Sequence, residues 1–412
     1  MSLYKDRNLI LVEEFLLLQC FLFVGFILAP IATNQFLLQN NRSYSDAHKI
    51  SICFLFIGHY FSVQYLALVW PLFCGYGFYL YCRTPVLNKF SAEWLVLALP
   101  FLFSFLSASW YVADALGLKL LGYDQRWSYY ASLHSIYLGW IFLICIGYLS
   151  NFKSKFLYQF YSLFAILCFL LVALGMEGIP LMKPIAVFGL TLSLPLLFLL
   201  ISIQLKGRGR KSLLFSSISF VAICTSMALV ISHEFFPGFP NIAFGISLMG
   251  LTLGLLNALI AITCLYLSIH FVNLTSPSTK QQTANIVLFD DICILCSTTV
   301  QLLLKLDKDK VLRYASLDGK LGLSLQKLGQ IVGKESVVFA SNGKYYTKAQ
   351  AVIQILYSLQ GIYRIISIIL SIFPFFIMDF VYSLIAKYRY RLFGKRESCF
   401  LPGENVKELF LD

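Results

Sequence analysis

The chain has 412 residues, of which 59% are hydrophobic and only 13% charged, and its formal net charge is +12 at pH 7. A water-soluble protein could not bury this much apolar surface, so the composition excludes a purely soluble chain and is typical of a membrane protein. The positive charge does not indicate a nucleic-acid partner, because the basic residues lie in short loops and in the C-terminal segment.

Eight apolar runs between Leu9 and Val272 are each long enough to cross a bilayer, which takes about 20 residues. They cover roughly residues 9–31, 50–72, 94–116, 128–149, 156–175, 184–205, 212–232 and 242–271. The first run lacks a small-residue cleavage site, so we expect a retained span and no cleavable signal peptide. The fifth and sixth runs are closely joined, which leaves an error of one span open. The pattern predicts an all-α polytopic membrane bundle over residues 1–272.

Lys and Arg are unevenly divided between the loops on the two sides of these runs. One side carries ten, namely Lys5, Arg7, Arg83, Lys89, Lys153, Lys155, Lys206, Arg208, Arg210 and Lys211. The other side carries five, namely Arg42, Lys49, Lys119, Arg126 and Lys183. The positive-inside rule assigns the richer side to the cytoplasm. Because an even number of spans returns the chain to that side, we expect both termini to be cytoplasmic, in a bacterial inner membrane.

Polar side chains inside the predicted spans are candidates for function, since they are costly in lipid. Asp114 and His134 lie in adjoining spans, and a carboxylate–imidazole pair could carry a proton or bind a metal. Asn257 is a third candidate. The alternative is structural: Asp114 lies near a span end, within reach of water, and a lone intramembrane histidine is more often a packed, hydrogen-bonded residue than a ligand.

Two fragments of this region resemble the YndJ-like family of uncharacterised bacterial membrane proteins. The first is Leu121-Gly122-Tyr123-Asp124 with Leu133-His134 and Gly139-Trp140, and the second is Gly254-x-x-Asn257-Ala258. The resemblance implies a similar multi-span architecture. Two histidines of the family pattern are replaced here by Ile136 and Leu253, so that only His134 is kept and no mechanism is carried over.

Residues 273–284 are polar, rich in Ser and Thr and interrupted by Pro277, which predicts a linker. Beyond it, strands and helices alternate. The predicted strands are roughly 286–289, 311–315, 336–340 and 344–347, and the predicted helices are roughly 293–306, 320–328 and 348–360. Asn342-Gly343 is a hairpin turn signal between the last two strands. The βαβαββα order predicts a thioredoxin-like α/β domain over residues 285–412.

The segment Ile286–Cys296 is an apolar run followed by two aspartates and the pair Cys293-x-x-Cys296. This pattern predicts a strand, a turn and a helix, with Cys293 at the helix N-terminus and more exposed than Cys296. Unpaired N–H groups and the helix dipole stabilise an anion there, so we expect the Cys293 thiol to ionise more easily than a free thiol. The spacing favours reversible thiol–disulfide exchange, with an inert pair or half of a zinc site as alternatives.

A zinc site needs three or four ligands, yet the chain beyond Cys296 contains only Cys399 and no histidine. We therefore expect no structural zinc and no cofactor other than the dithiol itself. Lys334-Glu335-Ser336 stands where thioredoxins place a cis-proline facing the thiols, so we expect a different substrate groove.

The motif Phe289-Asp290-x-x-Cys293-x-Leu295-Cys296 resembles the opening motif of the DCC family of thiol–disulfide oxidoreductases. The closing motif of that family is matched by Asp379-x-x-Tyr382, the run from Ala386 to Arg396, Cys399 and Pro402. The resemblance covers the C-terminal third and implies a redox-active CxxC on a thioredoxin-like fold. The family usually has Gly where this chain has Asp291, whose negative charge should raise the pKa of a neighbouring thiolate.

Asp290 lies at the end of the predicted strand and could exchange a proton with the thiol of Cys296. Its alternative role is to cap the helix through backbone N–H bonds. Cys399 could be a third, resolving thiol or a packed residue of the closing motif. Arg389, Arg391 and Lys395 are accessory candidates. They belong to a basic cluster that suits anionic lipid headgroups or an anionic substrate such as glutathione, or that simply forms the closing helix.

Residues 365–378 carry no charge and contain Pro374. At about 14 residues this stretch is too short for a ninth span, so we expect a buried or interfacial helix.

These patterns lead to two hypotheses. In the first, the chain is a membrane-tethered thiol–disulfide oxidoreductase with a cytoplasmic CxxC, and its partners are the bilayer and a thiol- or disulfide-containing protein or small thiol. In the second, the spans form a transporter or sensor that the redox state of the CxxC domain regulates.

Overall fold

The structure is a computed structural model. It describes residues 2–84, 92–123, 125–150, 155–236, 238–240, 242–243, 246–248, 250–275, 285–327, 336–341, 343–359, 361–395 and 404–411. The contacts divide the chain into two compact units, Met1–Ser276 and Pro277–Asp412.

In its described residues the first unit forms helices and their connections, together with a two-stranded ribbon. Its α-helices are α1 (Ser2–Phe36), α2 (Arg42–Tyr60), α3 (Val69–Arg83), α4 (Ala92–Ala115), α5 (Gln125–His134), α6 (Phe142–Leu149), α7 (Lys155–Met176), α8 (Met182–Leu205), α9 (Arg210–Phe235) and α10 (Thr263–Thr275). Short 3-10 helices cover Gln64–Leu68 and Leu120–Gly122, and π-helices cover Ser135–Ile141 and Gly250–Ile262. The ribbon pairs β1 (Ile242–Ala243) with β2 (Ile246–Ser247) in antiparallel register.

Eight of the described helices are long and apolar enough to cross a membrane, as the hydropathy predicts. The second one differs in position, because the predicted run 50–72 falls on a break in the chain. α2 ends at Tyr60, Ser62 has a φ of 56°, and the apolar helix runs over Gln64–Arg83 instead. Hydropathy averaged over a window does not detect a backbone turn inside an apolar run. The predicted bounds of the second span were therefore wrong.

The fourth span supplies the centre of the first unit's core. Its π-helical turn Ser135–Ile141 is buried throughout. The indole N–H of Trp140 donates to Thr33 Oγ1 at 2.9 Å, and the hydroxyl of Tyr137 donates to the Phe21 carbonyl at 2.8 Å. These bonds satisfy polar atoms that lipid could not satisfy.

The second unit contains one mixed sheet with helices. Its elements are β3 (Asn285–Phe289), α11 (Ile294–Leu306), β4 (Leu312–Ser316), α12 (Lys320–Lys327), β5 (Val338–Ser341), β6 (Lys344–Thr347), α13 (Lys348–Ser358), α14 (Ile362–Ile372), α15 (Phe375–Phe393) and a 3-10 helix (Glu404–Leu409). The strand order is β4-β3-β5-β6, with β3 parallel to β4 and antiparallel to β5, and with β5 antiparallel to β6. The predicted order of strands and helices is confirmed, with ends shifted by one or two residues.

The core of this sheet comes from alternate residues of the central strands. Val287 and Phe289 of β3 pack with Tyr314 of β4 on one face, and Leu288 packs with other apolar residues on the opposite face. Gly322 of α12 lies so close to the end of β4 that an added Cβ would stand 2.4 Å from the Leu317 carbonyl oxygen. Asn342, half of the predicted turn, and most of the predicted linker lie outside the described residues.

The apolar stretch 365–378 forms the end of one helix and the start of another. α14 ends at Ile372, Pro374 caps α15, and the two axes meet at 109°. Proline disfavours helical conformation in the residue before it, and Phe373 is indeed extended, with a ψ of 143°. The sequence therefore predicts one helix where the structure has a sharp bend between two.

Candidate functional site

The loop after β3 places the first cysteine at the start of α11. Cys293 is the N-cap residue, and its Sγ accepts the backbone N–H of Cys296 at 3.3 Å. A sulfur in this position lies against the unpaired N–H groups and the positive end of the helix dipole, which favour a thiolate. Both cysteines are free thiols in this structure. Easier ionisation of Cys293 stays a prediction.

The relative exposure of the two thiols is the reverse of the prediction. Cys293 is 0% exposed, whereas Cys296 is only partly buried. The reason is a contact from the far end of the domain, since the backbone of Cys293 pairs with that of Lys395. Gly394 precedes it with a φ of 82°, a conformation that L-residues rarely adopt, and ends α15 beside Ile294. The end of α15 therefore covers the first thiol.

A buried ion pair lies beside the cysteines. Arg389 Nη2 is 2.7 Å from Asp290 Oδ2, and the two side chains are only 7% and 8% exposed. The same carboxylate oxygen also accepts a hydrogen bond from the hydroxyl of Tyr390, and Asp290 Oδ1 accepts the Ile292 N–H at 3.2 Å. Asp290 thus caps the turn before α11 and does not cap the helix, because Cys293 occupies that position.

These charges act on the second thiol. Burial raises the pKa of Cys296 to about 12, and its hydrogen bond with Cys293 and the negative charges of Cys293 and Asp290 act in the same direction. The Arg389 guanidinium opposes them. Cys296 is therefore held as a neutral thiol at neutral pH, which suits a group that must give up a proton before it can attack. Burial and the bond to Asp290 also raise the pKa of Tyr390.

Tyr382 of α15 adds a third side chain from the C-terminal helix. Its hydroxyl accepts the backbone N–H of Val337 at 2.9 Å, just before β5. Burial raises the pKa of this phenol, and the charges of both cysteines contribute. Tyr382 therefore lies close enough to the thiols for their charges to act on it. Its hydroxyl also satisfies the Val337 N–H, in the segment where thioredoxins carry their cis-proline. Of the segment expected to differ from thioredoxins, Ser336 is described, while Lys334 and Glu335 lie outside the described residues, so a different substrate groove stays a prediction.

Asp291 fits the loop without strain. It is not among the described residues with positive φ, so its backbone conformation is open to any L-residue. Its side chain is buried, and its carbonyl oxygen accepts the hydroxyl of Ser297 at 3.3 Å. The glycine of the family pattern is thus not required for the fold of this loop.

The accessory candidates separate into two groups. Arg389 contacts Asp290 directly and Lys395 contacts Cys293 through its backbone, whereas Arg391 is exposed. Cys399 lies outside the described residues. Sequence reasoning named no role for Tyr382 and Tyr390, although both belong to the closing motif. The described part of the chain contains no group of three or more His, Cys, Asp or Glu that could hold a metal.

The intramembrane candidates have separate partners. His134 Nδ1 is 3.2 Å from the Tyr130 carbonyl oxygen in its own helix, which is the packed arrangement. Asp114 interacts with Tyr129 and Gln125. Asn257 is buried, and its Oδ1 has no hydrogen-bond partner among the described atoms. The described contacts thus do not join Asp114 to His134, and any role for these residues stays a prediction.

Two relatives match the C-terminal third. It is 38% identical over 136 residues to the uncharacterized protein YuxK of Bacillus subtilis, which covers 32% of this chain and 98% of that protein. It is 30% identical over 134 residues to the chloroplastic DCC family protein At1g52590 of Arabidopsis thaliana, which covers 78% of that protein. No solved structure matches the chain. The resemblance of the spans to the YndJ-like family stays a prediction.

The family model of DCC1-like thiol-disulfide oxidoreductases matches residues 287–395, a segment that begins in β3, contains both cysteines and ends at Lys395. The site geometry and these relatives agree with this match. Through this segment, the chain belongs to the family of DCC1-like thiol-disulfide oxidoreductases.

Proposed function

We propose that the chain is a membrane-tethered thiol–disulfide oxidoreductase whose dithiol faces the cytoplasm. The observation that carries this proposal is the Cys293 sulfur at the N-terminus of α11, 3.3 Å from the Cys296 amide and one turn from the second thiol. Family membership supports the chemistry, and eight long apolar helices support the membrane attachment. The excess of basic residues in one set of loops supports the cytoplasmic orientation.

In the reductive direction, the Cys293 thiolate attacks one sulfur of a substrate disulfide. A mixed disulfide forms, and the other substrate sulfur leaves as a thiolate that takes up a proton. Cys296 then loses its proton and attacks Cys293 Sγ, which closes the Cys293–Cys296 disulfide and releases the second substrate thiol. Two electrons pass from the dithiol to the substrate. Because Cys293 is covered, the Gly394–Lys395 segment has to move before a substrate disulfide can reach it.

Asp290 is the proton acceptor that we assign to Cys296. Its carboxylate is buried, its charge acts on that thiol, and Arg389 and Tyr390 hold it in place. Arg389 pairs with the carboxylate and burial holds Cys296 as a neutral thiol, so a base and its acid lie together in a site with little water. The substrates of this site are exposed disulfides, either in proteins or between two molecules of a small thiol. The basic end of α15 adds attraction for an anionic thiol such as glutathione or for anionic lipid headgroups.

The proposal is tested with the full chain reconstituted in lipid nanodiscs. The redox state of the Cys293–Cys296 peptide is measured by mass spectrometry in glutathione buffers, together with turnover of a model disulfide. Cys293→Ser should abolish turnover, whereas Cys264→Ser, in a membrane helix, should leave it unchanged as the matched control. Absence of a Cys293–Cys296 disulfide at every glutathione ratio would refute catalytic exchange.

A second candidate is a transporter or sensor that the CxxC domain regulates. The buried Asn257 Oδ1, which has no hydrogen-bond partner among the described residues, favours it, since polar groups inside a span often mark substrate pathways. Assays of the segment 277–412 alone distinguish the two functions. This segment is a sensible unit to assay, because the match to the C-terminal third covers 98% of YuxK. Turnover by the isolated segment favours the enzyme. A reversible couple without turnover favours redox regulation of the spans.

A further inference from the structure

The two C-terminal helices have their apolar side chains on the outside. In α14 the exposed residues include Ile365, Ile368 and Ile372, the last of these 66% exposed, while Ser367 is buried. A helix of a soluble domain places its apolar face against the core. Here the arrangement is inverted, with a small polar residue inside and isoleucines outside.

The inversion continues along α15. Its exposed apolar residues follow the helical period, at Phe376, Ile377, Phe380, Val381, Leu384, Ile385, Tyr388 and Leu392. The opposite face carries the polar contacts to the rest of the domain, through Asp379, Tyr382 and Arg389. Monomeric soluble proteins rarely expose a continuous apolar surface of this length, and such a surface marks an interaction site. We name these exposed residues of α14 and α15 the apolar face.

The length, bend and contacts of these two helices argue against a ninth membrane span. α14 has 11 residues, about 16 Å of helix, and a bilayer core is about 30 Å thick. α15 is longer, but Tyr382 and Arg389 fix it to Val337 and Asp290, so its polar side is already occupied by the domain. The two helices meet at 109°, which gives a broad wedge and no straight rod.

The charges at its edge indicate what covers it. Arg364, Lys387, Arg391 and Lys395 are exposed, while the acidic Asp379 accepts the Ala349 N–H at 3.3 Å. Isoleucine and phenylalanine bordered by Lys and Arg are the composition of helices that lie in the interface of an anionic membrane. In sequence, β3 follows α10 of the apolar unit after only nine residues.

We propose that the apolar face docks the second unit onto the bilayer, with its isoleucines and phenylalanines among the acyl chains and its basic residues on anionic headgroups. α14 and the outer side of α15 lie in the membrane interface, and the sheet and the dithiol face away from the lipid-bound side chains. This inference rests on membrane attachment of the chain and is independent of the thiol chemistry, so its readout does not involve turnover.

The test uses the full chain in nanodiscs that contain phosphatidylglycerol and phosphatidylcholine. A spin label is attached through p-acetylphenylalanine, which leaves the cysteines untouched, at Ile369, at Phe380, or at the control position Leu323 on α12. All three side chains are exposed. Their collision rates with oxygen, which dissolves in lipid, and with a water-soluble nickel chelate are measured.

We expect the labels at Ile369 and Phe380 to collide mainly with oxygen and the label at Leu323 mainly with nickel. High nickel collision at all three positions would overturn the proposal, because the apolar face would then lie in water. Low collision with both reagents at Ile369 and Phe380 would also overturn it, because a protein surface, such as a second copy of the chain, would then cover the face.

The headgroup contribution is tested with the label at Phe380. Each basic residue near an anionic membrane surface contributes electrostatic free energy to binding. The pair of changes Arg364→Gln and Lys387→Gln should therefore lower the ratio of docked to undocked domain by roughly thirtyfold. Pure phosphatidylcholine should have a similar effect on the unchanged chain. If the oxygen and nickel rates stay the same in both experiments, anionic lipid is not the occupant.

Discussion

Replacing Arg389 with Met tests whether the buried ion pair holds the site together. Arg389 Nη2 lies 2.7 Å from Asp290 Oδ2, and neither side chain is more than 8% exposed. Met fills much of the same volume without the charge, so Arg389→Met leaves a carboxylate buried without its counterion. Breaking such a pair costs about 3–5 kcal/mol. Asp290 keeps its bonds to Tyr390 and the Ile292 N–H, which places the expected loss near the lower end, at about 3 kcal/mol.

The assay is urea unfolding of the segment 277–412, followed by circular dichroism at the helix band in a mild nonionic detergent. Arg391→Met is the matched control, because Arg391 is exposed on the same helix. Its free energy of unfolding should change by no more than about 0.5 kcal/mol. The double variant Asp290→Leu with Arg389→Met removes both charges and should recover most of the loss.

Equal stability of Arg389→Met and Arg391→Met would refute the reasoning, since the ion pair would then contribute no more than a surface charge. Failure of the double variant to recover stability, with a normal loss for Arg389→Met, would show that Arg389 acts through its packing and not through Asp290.

Three further results are expected. With the pKa of Cys296 raised to about 12, the folded state binds the proton more tightly than the unfolded state, so this group stabilises the fold below pH 9 and loses that effect as the pH rises toward 12. Iodoacetamide should therefore modify Cys296 slowly at pH 8 and much faster above pH 10. Tyr382→Phe leaves the Val337 N–H without its acceptor and should cost about 1–2 kcal/mol in urea unfolding. Gly322→Ala brings a Cβ to 2.4 Å from the Leu317 oxygen and should cost at least about 1–3 kcal/mol.

Each of these results has a matched control. Urea-unfolded chain should react with iodoacetamide at the rate of an ordinary thiol, and equal rates before and after unfolding would contradict a raised pKa at Cys296. Tyr388→Phe, at an exposed residue of α15, should leave stability unchanged, as should Leu323→Ala next to Gly322. Losses in these controls as large as in the variants would contradict the contacts described.

The order of elements could be predicted from sequence because each carries a local signal. The apolar strand before Asp290, the cysteine pair after it and the hairpin of β5 and β6 all follow from residues close together in the chain. The exposure of Cys293 could not be predicted, because the residue that covers it, Lys395, lies about a hundred positions away. A local argument sees the N-terminus of a helix and has no information about what packs against it.

The Asp290–Arg389 contact was missed for a similar reason. The sequence offers Arg389 among several basic residues of one cluster, and its helical period gives no sign that this one points inward. Hydropathy failed in a different way at Ser62 and Pro374, because it records how apolar a stretch is and not where the backbone turns. The polar residues of the spans were placed correctly in apolar helices, yet which atoms they contact depends on packing between helices.

The contact between Asp290 and Arg389 joins the first and last parts of the redox domain, and this has a consequence for biosynthesis. Protein chains are made from the N-terminus, so Cys293 and Cys296 emerge well before α15 exists. Until then the thiols have neither the cover of Lys395 nor the guanidinium beside Asp290. A ribosome-bound chain that ends before α15 therefore lacks both of these contacts around its cysteines. Chains that terminate before α15 would retain the cysteines and lack the environment that controls them.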